Sequence, residues 1–405
     1  MRPEEEKHLA ALKPYCAEIH AVPLRRSRIA DVRAYALSVF FGRSFLVTRD
    51  AKPAMFDLVR RLVRAQPFDI IHADQLTMAQ FGLEVRRWKL EVGNTPVPRT
   101  PVLPCAPAPQ LVFDAHNAVW QIVERAQQTA PFFMRPFLAL EARRIKQYEG
   151  ALIQQFDHTL AVSAVDRQAL LEAAASTNHV HHPISNLQSP TSNLQSPISN
   201  LQSRISIIPI AIDSTQFLRN HRITESPNML TIGTLFYPPN ADGVRWFLHQ
   251  VCPFIRQRMP AATLTIIGSR PPADISQFAI RNPRFATVTG YVPDLTPYLD
   301  RAALMVIPVR AASGMRVRIL EALARGIPVV TTATGVEGID ATHGEHLLIA
   351  DEPEQFAAEV VRLLNDGALR QHLSTNGRRL MEEKYDWRVV LPKLERVYES
   401  LVTAR

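Results

Sequence analysis

Residues 304–330 read LMVIPVRAASGMRVRILEALARGIPVV, and this stretch decides the fold. The apolar run 304–308 has the length and branched content of a buried strand. Ser313 is placed to cap a helix, Val317, Leu320 and Ala324 recur at helical spacing, and Gly326 closes the helix before a second apolar run opens at Pro328. Strand, loop, helix, strand is the repeating unit of a parallel sheet.

The chemistry of that unit is legible as well. Arg316 and Arg318 stand in the first turns of the helix, where the macrodipole disfavours a cation by roughly 0.3 to 1 kcal/mol. An anion would offset that cost. Exposed amides, Gly314 for close backbone approach and two guanidiniums together make a diphosphate site. The alternative pairs Arg318 with Glu321 at i, i+3 and leaves Arg316 facing water.

Working outward, short β-rich runs alternate with helical patterns at 17–22, 69–72, 111–114, 159–162 and 205–209. The rhythm repeats at 229–232, 262–267, 286–289, 304–308, 328–332 and 346–350. With 405 residues, more than one core's worth, the expectation is an α/β protein of two doubly wound, Rossmann-like domains joined near 213–220. Ligands of such sheets sit beyond the carboxyl ends of the strands. Two stretches read as insertions. Residues 94–109 carry six prolines in sixteen positions, an extended loop. Residues 183–203 repeat PISNLQS, PTSNLQS, PISNLQS; a proline every seven residues forbids one continuous helix, and a surface loop is expected.

Composition narrows the function. The chain is 46% hydrophobic and 21% charged, as in soluble proteins, and no apolar run approaches the ~18 residues of a membrane span. Residues 34–47, interrupted by Gly42 and Arg43, read as an amphipathic helix. The charged opening Glu4, Glu5, Glu6, Lys7 is unlike a signal peptide, and Cys16, Cys105 and Cys252 form neither a disulfide set nor a zinc site. A cytoplasmic setting is expected. A net charge of +8 suits a nucleoside diphosphate or an anionic membrane face. Nucleic acid is disfavoured, since the basic run around Arg25, Arg26 and Arg28 lacks interleaved aromatics. No GxGxxG, P-loop or DxD pattern occurs, so dehydrogenase, NTPase and metal-dependent readings fall together.

Four blocks carry a resemblance: SGMRVRILEALARGIPVV (313–330), GYVPDLTPYL (290–299), TIGTLFYPPNADGVRWFL (231–248) and EEKYDW (382–387). In this order they resemble the retaining glycosyltransferase family 4 of GT-B fold, and within it bacterial members that build exopolysaccharide or cell-envelope glycans. The likeness is dense over 205–400 and looser over 1–175. It implies two domains facing across a cleft, an acceptor-side one at 1–213 and a nucleotide-sugar one at 214–385, with a terminal helix at 386–405 packing back on the first. It implies transfer, with retention, from a nucleoside diphosphate sugar to a glycan or lipid-linked acceptor, with no metal or cofactor and with peripheral membrane contact.

Position by position, Glu321 matches the second glutamate of an E-x7-E signature, which takes the ribose hydroxyls. Gly314 and Met315 match the loop whose amides touch sugar and phosphate. Gly290, Tyr291 and Val292 match the base-lining segment, and Gly233 and Thr234 the diphosphate-facing loop; an ordinary tight turn is the other reading of Gly233 and Gly290. His116, just beyond a strand, matches a histidine near the transferred sugar, with Asn117 and Asp74 on the acceptor side. Ser313 stands where the first glutamate belongs, which shifts donor recognition. The basic pair expected within 231–240 is absent, leaving its charge to Arg316 and Arg318. The opening corresponds to the segment after a second strand, so about one βαβ unit of the first domain is expected to be missing. Two rivals remain: an epimerase of the same fold, and a noncatalytic nucleotide or glycan binder.

Overall fold

A computed structural model of the chain describes residues 9–24, 27–93, 108–177, 197–217 and 226–403. Two all-parallel sheets organise them. The first joins β1 (Ile70–Asp74), β2 (Gln110–Ala115), β3 (His158–Ala161) and β4 (Ile205–Ile207) in chain order. The second contains β5 (Asn228–Ile232), β6 (Thr263–Ile267), β7 (Ala286–Gly290), β8 (Leu304–Ile307), β9 (Val329–Thr331) and β10 (Leu348–Ile349), ordered β10-β9-β8-β5-β6-β7. The chain thus grows one way from β5 and then returns to build on its other side. That reversal opens a crevice at the carboxyl ends of β5 and β8, where ligands of such sheets bind.

The helices that position the site are α1 (Arg28–Phe40), α2 (Phe45–Asp50), α3 (Pro53–Ala65), α4 (Ala79–Gly93), α5 (Val119–Thr129), α6 (Arg135–Gln155), α7 (Ala164–Thr177) and α8 (Pro197–Ser203) around the first sheet. Those that matter in the second lobe are α9 (Pro238–Trp246), α10 (Val317–Ala324) and the terminal α11 (Trp387–Thr403). Parallel strands covered on both faces are mostly apolar: β8 (LMVI) is so throughout, while β3, also buried at every position, carries His158 and Thr159, the imidazole lying 2.9 Å from the Ser206 hydroxyl. Phe113, Phe156, Leu152 and Leu170 fill the first core, and Phe247, Phe356 and Leu304 the second. Each such side chain contributes roughly 1.5 to 3 kcal/mol on burial. At Gly150, α6 crosses α7 so closely that a Cβ would lie 2.0 Å from Thr177 Oγ1.

The lobes are tied at several points. Ile212 donates its N–H to the Tyr385 carbonyl and accepts from the Trp387 N–H, both at 2.9 Å. From there α11 runs back to the first sheet, where the Tyr398 hydroxyl lies 2.6 Å from His72 Nδ1.

Three expectations need correction. Residues 17–22 form no strand: the alternation is present, but the backbone there is irregular, the first sheet begins at Ile70, and Pro23 follows without a donor. Residues 34–47 are not one helix, because Gly42, at φ +63°, ends α1 and α2 starts afresh after Ser44. The third heptapeptide is not loop but α8: its proline occupies the first helical position, where a missing N–H costs nothing, and Leu201 is buried in the first core. Residues 183–196 of the repeat and 94–107 of the proline-rich stretch lie outside the described residues, as do Glu4–Lys7, Arg25, Arg26 and Cys105.

Candidate active site between the two sheets

Four loops meet at the carboxyl edge of the second sheet. The Gly233 N–H donates to the Ile267 carbonyl and the Gly268 N–H to the Gly290 carbonyl, both at 2.9 Å. These bonds stitch the ends of β5, β6 and β7 into one rim. A Cβ on Gly268 would lie 2.0 Å from the Gly233 carbonyl oxygen, so only glycine fits. Gly268 lies outside the set expected from sequence, yet its place directly after a β-rich run marks it. Gly290 holds φ +73°, Tyr291 is exposed, and Val292 packs inward. Thr234 is exposed, and its carbonyl accepts from Asn240 at 3.1 Å.

The loop after β8 carries the chemistry. Ser313 does not cap α10; Arg316 holds the cap position, with extended backbone and no side-chain cap bond. Three residues, Gly314, Met315 and Arg316, separate Ser313 from the helix, and its hydroxyl turns instead to Asp166, 3.0 Å away on α7. Gly314, at φ +74°, donates its N–H to the same carboxylate at 3.1 Å. A Cβ there would stand 2.6 Å from the His116 carbonyl oxygen. The glycine therefore lets the second lobe touch the loop beyond β2 of the first. Met315 is buried in the core, so only its backbone faces the loop.

The two arginines have different tasks. Arg318 donates to the Ile232 carbonyl at 3.0 Å and to Asn240 Oδ1 at 2.5 Å, bracing the β5 loop rather than pairing with Glu321. Arg316 donates to the Gly314 carbonyl, while its buried Nε finds no partner among the described residues. Burial pushes its pKa down to about 10, with neighbouring Asp166 acting in the opposite direction. A cation under that strain gains from an anion beside it. Glu321 is exposed, and no hydrogen bond or ion pair engages its carboxylate among the described residues. Its pKa is raised by desolvation, against the pull of Arg325.

On the facing side, His116 Nε2 lies 2.6 Å from Asp74 Oδ1 and 3.9 Å from Asp114. His72 Nε2 is 3.3 Å from Asp114 Oδ2, so the ends of β1 and β2 carry an alternating chain of imidazoles and carboxylates. His72, Asp74 and Asp114 offer ligand atoms within 4.8 Å of one another, as a cation would require, but each is already paired by a neighbour. Beside them opens a cavity of about 360 Å³ lined by Leu46, Arg49, Gln75, Thr77, His116 and Asn117. Gln75 sits at φ +72°, a left-handed conformation rare outside glycine and often found at binding loops.

Asp166 was not expected from sequence, although SAVD (163–166) after the third strand is a capping-box pattern that could have found it. Its buried carboxylate accepts from Ser163 at 2.5 Å within its own lobe and from Ser313 and Gly314 across the cleft. A second bridge joins Arg125 to both oxygens of Glu337, at 2.6 and 2.9 Å, which raises the arginine's pKa.

Comparison with known proteins bears on the fold and the family. Residues 226–366 match the family described as Glycosyl transferases group 1. An uncharacterised 44.6 kDa protein in the cps region of Klebsiella pneumoniae is 26% identical over 173 residues, 41% of this chain and 45% of that protein. The capsular polysaccharide biosynthesis glycosyltransferase CapM of Staphylococcus aureus is 29% identical over 129 residues, 31% of this chain and 33% of that one. The matched parts thus span less than half of either curated relative. The crystal structure of Anabaena HepE in complex with UDP and glucose superposes with a TM-score of 0.64 at 12% identity, over 97% of this chain and 89% of that one. The fold of the chain is accordingly α/β and GT-B, two parallel-sheet lobes facing across a cleft. No described helix is long and apolar enough to cross a membrane.

Proposed function

We propose that the chain is a retaining glycosyltransferase of family 4, moving a hexose from a nucleoside diphosphate sugar to a glycan or lipid-linked acceptor in exopolysaccharide or cell-envelope synthesis. The observation that carries the proposal is Arg316, buried with an unsatisfied Nε at the cap position of α10, standing five residues before the unengaged carboxylate of Glu321 within that short helix. Arg316 and the Met315 amide take the diphosphate and stabilise charge as it departs, while the Gly314 N–H, spent on Asp166, holds the loop in place. Glu321 accepts both ribose hydroxyls. Gly290, Tyr291 and Val292 line the base, and Gly233 and Thr234 face the phosphates, with Arg318 holding that loop in place. His116, oriented by Asp74, meets the transferred sugar, and the cavity beside Asn117 receives the acceptor. No metal or cofactor enters this scheme. The capsule-linked relatives and the UDP and glucose of the HepE complex support the choice of donor class and pathway. The setting is the inner face of the cell membrane, with peripheral contact.

The test is a thermal-shift panel of nucleoside diphosphates and nucleotide sugars, starting with UDP, on the full chain and on Arg316→Ala and Glu321→Ala. A ligand at about 100 times its Kd stabilises by roughly 2.7 kcal/mol, so the shift is easily read. Both substitutions are expected to abolish it. An undiminished shift in either variant moves the nucleotide elsewhere, and a nucleotide shift without sugar transfer to any glycan leaves a binding protein.

A further inference from the structure

Two features on the outer side of the first lobe play no part in the site above. Helix α1 buries only Ala34 and Ser38 against the protein. Its opposite side presents Ile29, Val32, Ala36, Val39 and Phe40, spaced three and four apart, to water, with Ile29 and Phe40 above 80% exposed. An amphipathic helix normally turns such a stripe inward; this one turns it out. Arg28 and Arg33 flank it. Tyr35 packs at a tilt against Phe137 of α6 with ring centres 5.7 Å apart, continuing the apolar surface towards exposed Phe132 and Phe133. Contiguous apolar surface of this kind marks an interaction site.

Where α1 ends, Gly42 and Arg43 lead into a cavity of about 210 Å³ walled by Val47, Phe56, Leu83 and Leu152. Arg43, Arg87 and Arg144 line it as well, and none of them has a carboxylate partner among the described residues. The one acidic lining residue, Glu84, is taken by Arg60. Tyr148 also lines the cavity, and its buried hydroxyl finds no hydrogen-bond partner among the described residues. An apolar pocket lined by three guanidiniums, one of them 5.8 Å from the centre of the Phe41 ring, and an orphan hydroxyl calls for an anionic, oxygen-rich group joined to an apolar body.

We infer that this corner docks on an anionic lipid bilayer, the stripe of α1 entering the acyl boundary and the arginine-lined cavity taking a lipid phosphate. The inference rests on the peripheral membrane contact proposed above and gives it a place, lying outside the nucleotide site. Charge complementarity selects the occupant: cations at both the flank of the stripe and the cavity suit phosphatidylglycerol-type headgroups and leave a neutral surface unattended.

The experiment is co-sedimentation of the full chain with vesicles of phosphatidylcholine alone or mixed with phosphatidylglycerol, with inorganic phosphate as competitor. Variants are Ile29→Ser/Phe40→Ser and Arg43→Glu/Arg87→Glu, each checked for its melting temperature and its UDP-induced shift. Binding is expected only to the mixed vesicles, and each double variant should weaken it by about tenfold or more while keeping the UDP shift. Equal binding to both vesicles, undiminished binding by folded variants, or full displacement by phosphate at equal charge overturns the docking surface. So does concentration-dependent dimerisation that the α1 variant removes in the absence of lipid, which would make the stripe a contact between copies. Loss of the UDP shift in the unaltered chain with vesicle binding intact would refute nucleotide-sugar transfer and spare the membrane site.

Discussion

Glu149 is fully buried in α6 and accepts from the Val119 and Trp120 N–H groups at the start of α5, at 2.8 and 3.2 Å. Desolvation outweighs those bonds and lifts its carboxyl from an ordinary 4.5 to about 8. The folded chain therefore holds a proton that the unfolded chain has released, so the stability this group contributes is full below about pH 4.5 and is lost as pH rises through about 8. Glu149→Gln, neutral at every pH but with an amide NH2 that cannot accept from the second N–H, should lower the melting temperature at about pH 5 to 6 and flatten the decline towards pH 8.5. Identical pH profiles for both proteins would show the acid ionised in the fold. Residue roles were legible to the extent that they are local. Arg316 at the cap of α10 and Glu321 within it are close in sequence, so their nearness is readable from spacing. The role of Arg318 is not, because its partners at Ile232 and Asn240 are distant in sequence. Asp166 is readable as a capping residue from SAVD, but its bonds to Ser313 and Gly314 emerge only once the lobes meet.

At the scale of elements, α9 shows how the site loop is held. A Cβ on Gly243 would fall 1.7 Å from the Pro308 carbonyl oxygen, so the helix rests directly on the chain as it leaves β8. Gly243→Ala must push the helix off. It should cost about 1 to 3 kcal/mol or more, read from the urea midpoint, and should weaken the nucleotide-induced shift by displacing 308–316. An unchanged midpoint would mean the contact yields without penalty. The described strands at 70–74 and from 110 on were readable in the sequence, since continuous branched runs bounded by turn residues admit one reading in a parallel sheet. What escaped depended on neighbours. Residues 17–22 have the alternation but no ladder, whereas Pro197–Ser203 look like loop until Leu201 finds a core. The break at Gly42 was visible as a glycine, and only its left-handed φ shows that it splits the helix.

For the molecule as a whole, the two lobes are joined by polar bonds as much as by packing. Arg125 spans the cleft to Glu337 through two hydrogen bonds, both partners being largely shielded from water. Arg125→Ala leaves that carboxylate and the Ala312 carbonyl without their donor. It should cost about 1 to 3 kcal/mol, enlarge the radius of gyration in solution scattering, and separate the thermal transition into two. A variant with unaltered scattering and a single transition would assign closure to the remaining contacts. Asp166 sharpens the point. Its one carboxylate serves the capping turn of α7 and the Ser313–Gly314 loop together. Neither half can therefore drift independently in evolution: a lineage that alters the turn in one lobe inherits a defect in the other, and compensating changes should appear in pairs across the cleft.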